Sequence, residues 1–487
     1  MTIDSRPELP SIATKPRNLR DAWLALAALS AVFLFEMLDN SIVNVALPSI
    51  GRDLHASTID LQWVAGAYSL FFGGLMLLFG SVADRFGRRR VMLFGLALLA
   101  LASATTALVT TPAELIAVRA VMGIAAAMTT PGSMALAFRL FDDEALRIRA
   151  MTVISTAGLV GLAVGPTAGG MILAVAPWQI LLLINVPIAV VAFIGIRVGI
   201  SVESRDDLHA DHIDLAGAVL GTLTVVGALV TPTVFVHVTG ATWAGWVAAV
   251  MTVAGGVAFV VRERVASQPL LDLRLFLRPL VASGLAYKAA SGLAVAGLSY
   301  MATLQLQFAW GWSPALAAVG MLPQVVVLLA SGRLVGPFVK WAGLTRAAWM
   351  SAAAVVAGLA VFAAGSRFGY AFVFVALVLV AAGMRVVGVV AGNNVLTGLP
   401  ANRSSVGAAL VDTSSELANG VGIAAVGTIL AARVSGSVAT TSWSAVRLAE
   451  FQDAITIAGV TLTAVATVLV GFGIIRSRHT SVVRHAR

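Results

Sequence analysis

The chain of 487 residues has no cysteine and few charged side chains. Without cysteine it forms neither disulfides nor thiolate metal sites, and its six histidines are scattered, so no residues for metal or nucleophilic catalysis stand out and we expect no cofactor. Only 11% of the residues are charged, whereas 59% are apolar and the mean hydropathy is +0.94. A soluble protein could not cover so much apolar surface, so we expect an integral membrane protein in contact with the lipid bilayer.

The apolar residues form long runs that predict membrane-spanning helices. A spanning helix needs roughly 20 apolar residues. Fourteen runs are long enough, at about 22–47, 61–82, 91–110, 113–138, 150–173, 179–199, 214–236, 241–261, 279–307, 314–337, 344–364, 368–397, 404–432 and 453–475. They lack the alternation of apolar and polar residues typical of transmembrane strands, so we predict an all-α integral membrane fold with 14 transmembrane helices.

The positions of the basic residues indicate how these helices are oriented. The net charge is +9, but Lys and Arg form no single patch, so nucleic acid is not an expected partner. With a cytoplasmic N-terminus, 25 of the 32 Lys and Arg residues fall in cytoplasmic segments and four in outside loops. The positive-inside rule therefore predicts that both termini of a multi-pass protein of the cell membrane are cytoplasmic. The first run follows a polar tail and carries two acids, so we expect no signal peptide.

Two charged connectors, after the sixth and the eighth run, predict the domain organisation. The pattern is two six-helix halves with an inserted helix pair between them. The predicted units are a cytoplasmic tail at 1–21, a six-helix bundle at 22–200, a linker with two inserted helices at 201–278, a second six-helix bundle at 279–475 and a cytoplasmic tail at 476–487. We expect the protein to be a monomer.

Four carboxylates lie within the apolar runs: Glu36, Asp39, Asp412 and Glu416. A charge at the centre of a spanning helix costs about 2.5 to 3.5 kcal/mol, so such acids indicate a proton, ion or substrate site. The members of each pair are three or four residues apart and share one helix face. Because a carboxyl in a cleft of low dielectric constant can exchange a proton near neutral pH, we predict that Asp39 and Glu416 bind substrate and proton in competition, with Glu36 and Asp412 as secondary acids. A solvated position near the cytoplasmic end is the alternative for Asp412.

Three cations, Arg119, Lys288 and Arg385, also lie within the runs, and ion pairs with the acids are expected. If Lys288 and Arg385 face the cavity, they weaken the binding of lipophilic cations. That leaves open a zwitterionic, anionic or neutral substrate, or a lysine that holds an acid in place of a ligand. Five aromatic residues near the expected cleft offer stacking surfaces for a flat molecule, with packed or lipid-facing positions as the alternative. They are Phe35, Trp63, Tyr68, Tyr287 and Tyr300.

Three segments resemble signatures of the major facilitator superfamily. Residues 80–90 (GSVADRFGRRR) are similar to the loop after its second helix, and residues 161–170 (GLAVGPTAGG) to the GxxxGPxxGG signature of its proton-coupled antiporters. Residues 38–48 (LDNSIVNVALP) are similar to the LDxTxVNVALP signature of its 14-span drug:proton antiporter group. The residues for which the first two motifs imply a conformational role are Gly80, Asp84, Arg85, Gly87, Arg88, Gly161, Gly165, Pro166, Gly169 and Gly170.

The resemblance also bears on single residues. Arg119 matches the arginine of the family's fourth span, which implies a role in proton transfer; a structural ion pair is the alternative. Met122 stands where the family usually has Gln, so Arg119 lacks one polar partner. Asp412 and Glu416 resemble the acidic pair of multidrug exporters of quaternary ammonium compounds.

Together these patterns predict a proton-coupled antiporter that exports amphipathic drugs or toxic metabolites by alternating access between two helical halves. Its expected partners are a small-molecule substrate and protons. An exporter of lipid or lipid-like molecules on the same fold is the alternative. A membrane enzyme would need a clustered nucleophile, metal or cofactor site, and a receptor or scaffold would have no need of buried proton acceptors.

Overall fold

A computed structural model describes residues 18–141, 143–203, 214–237, 242–266, 269, 273–399, 404–434 and 444–485. Over these ranges the chain forms α-helices and no β-strand, which confirms the all-α prediction. The helices are α1 (Trp23–Asp53), α2 (Thr58–Phe86), α3 (Arg88–Thr105), α4 (Pro112–Arg139), α5 (Glu144–Leu173), α6 (Gln179–Leu183), α7 (Asn185–Gly199), α8 (Leu215–His237), α9 (Thr242–Val265), α10 (Leu273–Leu277), α11 (Pro279–Leu304), α12 (Pro314–Ala330), α13 (Gly332–Ala342), α14 (Leu344–Gly365), α15 (Tyr370–Gly398), α16 (Ser404–Arg433) and α17 (Ala445–His485).

Several predicted connectors and tails fall partly outside the described residues. They are most of the tail at 1–21, the charged connector at 204–213, part of the connector at 267–272, the loop at 435–443 and the last two residues of the tail at 476–487. The predicted domain boundaries and the monomeric state remain predictions.

The described helices suit a multi-pass membrane protein. Eleven helical stretches are long and apolar enough to cross a membrane. Two more candidates are bent: the two parts of α2, Thr58–Met76 and Leu78–Phe86, meet at 52°, and α12 meets α13 at 62°. Helix α8 contributes a shorter apolar stretch, Ala216–Thr231. The exact number of fourteen spans and the cytoplasmic position of the termini therefore stay predictions.

Two groups of helices pack against each other along two main interfaces. Helices α1 to α7 form the first group and α11 to α17 the second. Helix α5 packs on α12, and α2 packs on α16. At the α2–α16 interface the Gln62 amide donates to the Thr428 hydroxyl at 3.4 Å, and a Cβ on Gly73 would come within 3.1 Å of the Glu416 Cβ. The absence of a side chain at Gly73 thus brings Glu416 against the first group.

The inserted helices α8 and α9 lie beside the α2–α16 interface. They pack on each other, and α8 contacts both α2 and α16. The Thr222 hydroxyl of α8 donates to the Gly74 carbonyl of α2 at 3.1 Å. Arg262 of α9 binds the buried Asp214, which precedes α8, at 3.1 Å. The inserted helices α8 and α9 are therefore bonded to the bundle and also joined to each other by an ion pair.

Polar residues and glycines set the ends of several helices. Ser57 accepts a hydrogen bond from the Asp60 amide at 3.1 Å while Asp60 accepts from the Ser57 amide at 2.9 Å, a capping box that starts α2. Gly87, with φ 100°, makes the turn from α2 to α3, and Gly343, with φ 74°, makes the turn from α13 to α14. Residues that carry a side chain rarely adopt these backbone angles, so each short turn depends on glycine.

Candidate transport site

A buried ion pair joins α1 to α4. Asp39 and Arg119 are 0% and 1% exposed, and one Asp39 carboxylate oxygen pairs with the Arg119 guanidinium. The other oxygen accepts a hydrogen bond from the Asn185 side-chain amide at 2.9 Å. Both oxygens of Asp39 thus have partners inside the first helix group, as a buried charge requires.

The Arg119 guanidinium makes two further contacts with α2. Its Nε donates to the Val64 carbonyl at 3.3 Å, and its Cζ lies 4.7 Å from the centre of the Tyr68 ring, within the range of a cation–π interaction. Met122, one turn along α4, is fully buried. The arginine is therefore held by α1 and α2 at a place where the family pattern would offer it a glutamine on its own helix.

Glu36 lies one turn before Asp39 and has a different partner. The Thr130 hydroxyl of α4 donates to the Glu36 carboxyl at 2.6 Å, and Glu36 is 3% exposed. Glu36 is within electrostatic range of Glu416 and Asp412. The acids of α1 and α16 thus form one group across the two halves of the bundle.

The acids of α16 lie opposite a lysine. Glu416 is buried and accepts a hydrogen bond from the side-chain amide of Asn419 at 3.1 Å, while Asp412 is half-buried. Lys288, on the adjacent helix α11, is within electrostatic range of both carboxyls. Lys288 makes no ion pair within the described part of the chain, so its charge acts on the two acids from a distance.

A cleft opens between the two helix groups beside these charges. It encloses about 600 Å³ of empty space, part of which is open to solvent, and its walls come from α1, α5, α11, α12 and α16. Nine of its fifteen lining residues are apolar. The six polar ones are Ser41, Asn44, Ser299, Thr303, Gln324 and Asn419. Because Asn419 both lines the cleft and binds Glu416, it connects the cleft to the buried acids.

The glycine motif of α5 sits between the cleft and α1. A Cβ on Gly161 would collide with the Leu34 carbonyl, and one on Gly165 with the Ser41 hydroxyl. Gly169 faces Ile42 in the same way, whereas Gly170 faces Pro314 and Ala318 of α12 in the other half. Pro166 lines the cleft. The motif therefore lets α5 approach both α1 and α12, which is where the two halves meet.

The motif at 80–90, predicted as a loop, covers the end of α2, the turn at Gly87 and the start of α3, and none of its residues lines the cleft. Arg88 binds Asp84 at 2.6 Å, and the Arg85 guanidinium lies 5.7 Å from the centre of the Phe86 ring. Gly80 faces Pro131 of α4. Arg89 donates to the Arg197 carbonyl at 2.7 Å, which ties the start of α3 to the end of α7. These contacts stay within the first helix group.

The remaining predicted cavity residues have other surroundings. Arg385 of α15 lies against Gly332, where a Cβ would come within 2.8 Å of its Nη2, at the bend between α12 and α13. The five aromatic residues do not line the cleft. Trp63 is half-buried, and the others are buried: Phe35, Tyr68, Tyr287 and Tyr300.

Sequence patterns did not single out the uncharged groups that hold the acids. Thr130 binds Glu36, Asn185 binds Asp39 and Asn419 binds Glu416. Each is a polar side chain in or beside an apolar run, and such groups pair inside the membrane because lipid offers them no hydrogen bonds. That polarity was the available signal, but the identity of each partner depends on the packing.

Comparisons with known proteins agree with this arrangement. A model of the Major Facilitator Superfamily matches residues 29–207. The multidrug efflux pump LfrA of Mycolicibacterium smegmatis is 30% identical over 433 residues, which cover 87% of this chain and 83% of LfrA. The cephamycin export protein CmcT of Amycolatopsis lactamdurans is 37% identical over 325 residues, and this match spans 65% of each chain, slightly less than two thirds of CmcT.

Among solved structures, a bacterial homologue of the human lysosomal transporter Spinster, in an inward-facing and unoccupied conformation, superposes with a TM-score of 0.68. The match covers 94% of this chain and 97% of that structure at 14% identity, so it shows the fold alone.

Two helical groups around a central cleft, with buried charges beside it, define a membrane transporter rather than an enzyme. The chain belongs to the Major Facilitator Superfamily, and the relatives named above are drug and antibiotic efflux proteins.

Proposed function

We propose that the protein is a proton-coupled antiporter that exports amphipathic drugs or toxic metabolites from the cytoplasm by alternating access of the cleft. The observation that carries the proposal is the place of Glu416. It lies where α16 of one half meets Gly73 of the other, and it binds an amide that lines the cleft. When the halves rock against each other, this is a carboxyl whose exposure to water changes.

Asn419 supplies the link between substrate and proton. In the structure its nitrogen donates to Glu416, which leaves its oxygen to accept from a substrate. A substrate donor on that oxygen holds the amide in the orientation that stabilises the Glu416 carboxylate, so substrate binding releases the proton. Protonation from the outer side reverses the preference and releases the substrate. The inward movement of each proton contributes about 2.3 kcal/mol per 100 mV of membrane potential.

Asp39 has a supporting role in this scheme. Arg119 and Asn185 occupy its two oxygens, and Asp39 does not line the cleft. We assign the pair Asp39–Arg119 to proton transfer between α1 and α4, and Glu36 and Asp412 remain secondary acids near Glu416. If the termini are cytoplasmic, as the basic residues predict, Asp84 lies at the cytoplasmic end of α2.

The six polar side chains of the cleft and the names of the relatives favour a drug over a lipid as the substrate.

Substrate-induced proton release tests the coupling. Chloramphenicol, puromycin and ethidium are added in turn to purified protein in weakly buffered detergent with a pH-sensitive dye. We expect proton release from wild type with each compound that it transports, and none from Glu416→Gln. Glu114→Gln makes the same chemical change at an exposed helix start and serves as the control.

Two outcomes would contradict the proposal in different ways. If wild type transports a compound without releasing protons, antiport is wrong. If Glu416→Gln still releases them, the coupling acid is a different residue while the transporter class is unaffected.

A further inference from the structure

Three polar side chains of the cleft wall, Ser299, Thr303 and Gln324, make no hydrogen bond in the described part of the chain, and the last two of them are buried. Gln324 of α12 is 9% exposed and Thr303 of α11 is 2% exposed, and both line the cleft. Neither the Gln324 amide nor the Thr303 hydroxyl is among the fully enclosed unpartnered atoms, so both can bond to water or to a ligand in the cleft. The cleft is where the missing partners of Gln324 and Thr303 can be bound.

The same wall carries neither charge nor aromatic ring. All fifteen lining residues are apolar or neutral polar, and none is Phe, Tyr or Trp. A permanent cation that enters such a cleft loses water and meets no carboxylate or ring face in return. Of the nearby acids, Asp39 is paired with Arg119, and Glu416 lies behind the Asn419 amide and is not part of the cleft wall. Lys288, which is within electrostatic range of the α16 acids, adds a positive charge that opposes binding of a cation further.

We propose that the transported molecule is uncharged, with an apolar framework that carries hydrogen-bonding groups, and that Gln324 and Thr303 determine specificity by bonding to those groups. The inference rests on the proposed export function and names its substrate class. Amide and hydroxyl groups both donate and accept, so the two residues suit carbonyl, hydroxyl or amide groups of a ligand. Asn44 of α1 supplies a polar group from the other half of the bundle.

A matched pair of dyes separates charge from shape. Dimethylaminostyrylpyridine is neutral above the pH at which its pyridine protonates, and its N-methylpyridinium salt has the same framework with a permanent charge and a blocked acceptor. Binding of each dye to the purified protein is followed by fluorescence, and transport by efflux from cells. We expect wild type to prefer the neutral dye by at least about tenfold.

Variants of Gln324 and Thr303 test whether these residues cause the preference for the neutral dye. Gln324→Glu should shift it toward the cation by at least about tenfold, because it adds a carboxylate to the cleft wall. Thr303→Val should weaken binding of a neutral ligand that bonds the hydroxyl by about 3- to 10-fold, the loss of one net hydrogen bond. If Gln324→Glu folds poorly, Gln324→Met removes the amide without adding charge and should weaken binding of the neutral dye. Gln452→Glu and Thr463→Val make matched changes on α17, outside the cleft lining, and should leave both affinities unchanged.

The inference is wrong if wild type binds or exports the cation as well as the neutral dye. It is also wrong if Gln324→Glu alters the preference no more than Gln452→Glu does. Export of a cation with proton release would refute the proposed substrate class but would still support proton-coupled antiport. If folded wild type exports neither these dyes nor any drug of the proton-release panel, the drug-export proposal fails and this inference fails with it.

Discussion

The two halves of the bundle treat their buried acids differently. In the first half Asp39 is bonded to a cation, Arg119, and to the Asn185 amide. In the second half Glu416 is bonded to the neutral amide of Asn419, and Lys288 acts on it only from a distance. An acid in a complete ion pair is expensive to disturb, whereas an acid held by a neutral amide can change protonation with little rearrangement. The two halves therefore hold the same kind of side chain in different ways, by a complete ion pair in the first half and by a bond to a neutral amide in the second.

The largest effect is expected from a substitution that breaks the ion pair of the first half. Asp39→Asn leaves the Arg119 guanidinium buried without its counter-ion, and removing one partner of a buried pair costs about 3 to 5 kcal/mol. We expect a clear fall in the thermal unfolding temperature of the purified protein. Adding Arg119→Met to Asp39→Asn removes the stranded charge and should recover much of the loss. If the single variant is as stable as wild type, Asp39 and Arg119 are not the structural pair described here.

A smaller effect on stability is expected from the corresponding change in the second half. Glu416→Gln keeps a side-chain oxygen that can accept from Asn419, so the free energy of unfolding should change by no more than about 1.5 kcal/mol. Proton release should nevertheless be lost. Thermal unfolding of Glu416→Gln beside Asp39→Asn measures the contrast directly. Equal destabilisation of the two variants would show that the halves do not differ in the way proposed.

The smallest expected effect concerns the distant lysine. Lys288→Met removes a cation that forms no ion pair among the described residues, so the fold should be nearly unaffected. Cationic dyes should bind up to about fivefold more tightly, since a charge acting across a protein interior of moderate dielectric constant contributes about 1 kcal/mol. Lys340→Met, at an exposed position on α13, is the matched control. Unchanged or weaker dye binding would argue against a role of Lys288 in opposing cations.

Much of the fold could be predicted from the sequence because the bilayer allows only a few backbone structures. Apolar runs such as 91–110 must be helical to satisfy their backbone groups, and the structure has α3 there. The bend between α12 and α13 could not be predicted in the same way, because a single apolar run at 314–337 continues from α12 into the first half of α13. Gly332 and Arg385 meet at that bend through tertiary packing, and neither position alone indicates it.

The candidate site, like the fold, could be predicted from the sequence only in part. Spacing indicated that Asp39 shares a face with Glu36, and Glu416 with Asp412, because helix geometry is local. Spacing could not indicate that Asn185 and Arg119 complete Asp39, since these residues lie 146 and 80 positions away along the chain. The same holds for Gly73, whose role is to admit Glu416 from the other half.

The sequence by itself determined that this is an all-helical membrane protein of the Major Facilitator Superfamily with acids where lipid would exclude them. Hydropathy and motif spacing are properties of short segments, so they can be read from the sequence without knowledge of the packing. Only the tertiary structure decided which acid has a counter-ion, which is bonded to an amide that faces the cleft, and that the cleft wall carries no charge. Those properties depend on contacts between helices far apart in the chain, and burial makes each contact, or its absence, energetically decisive.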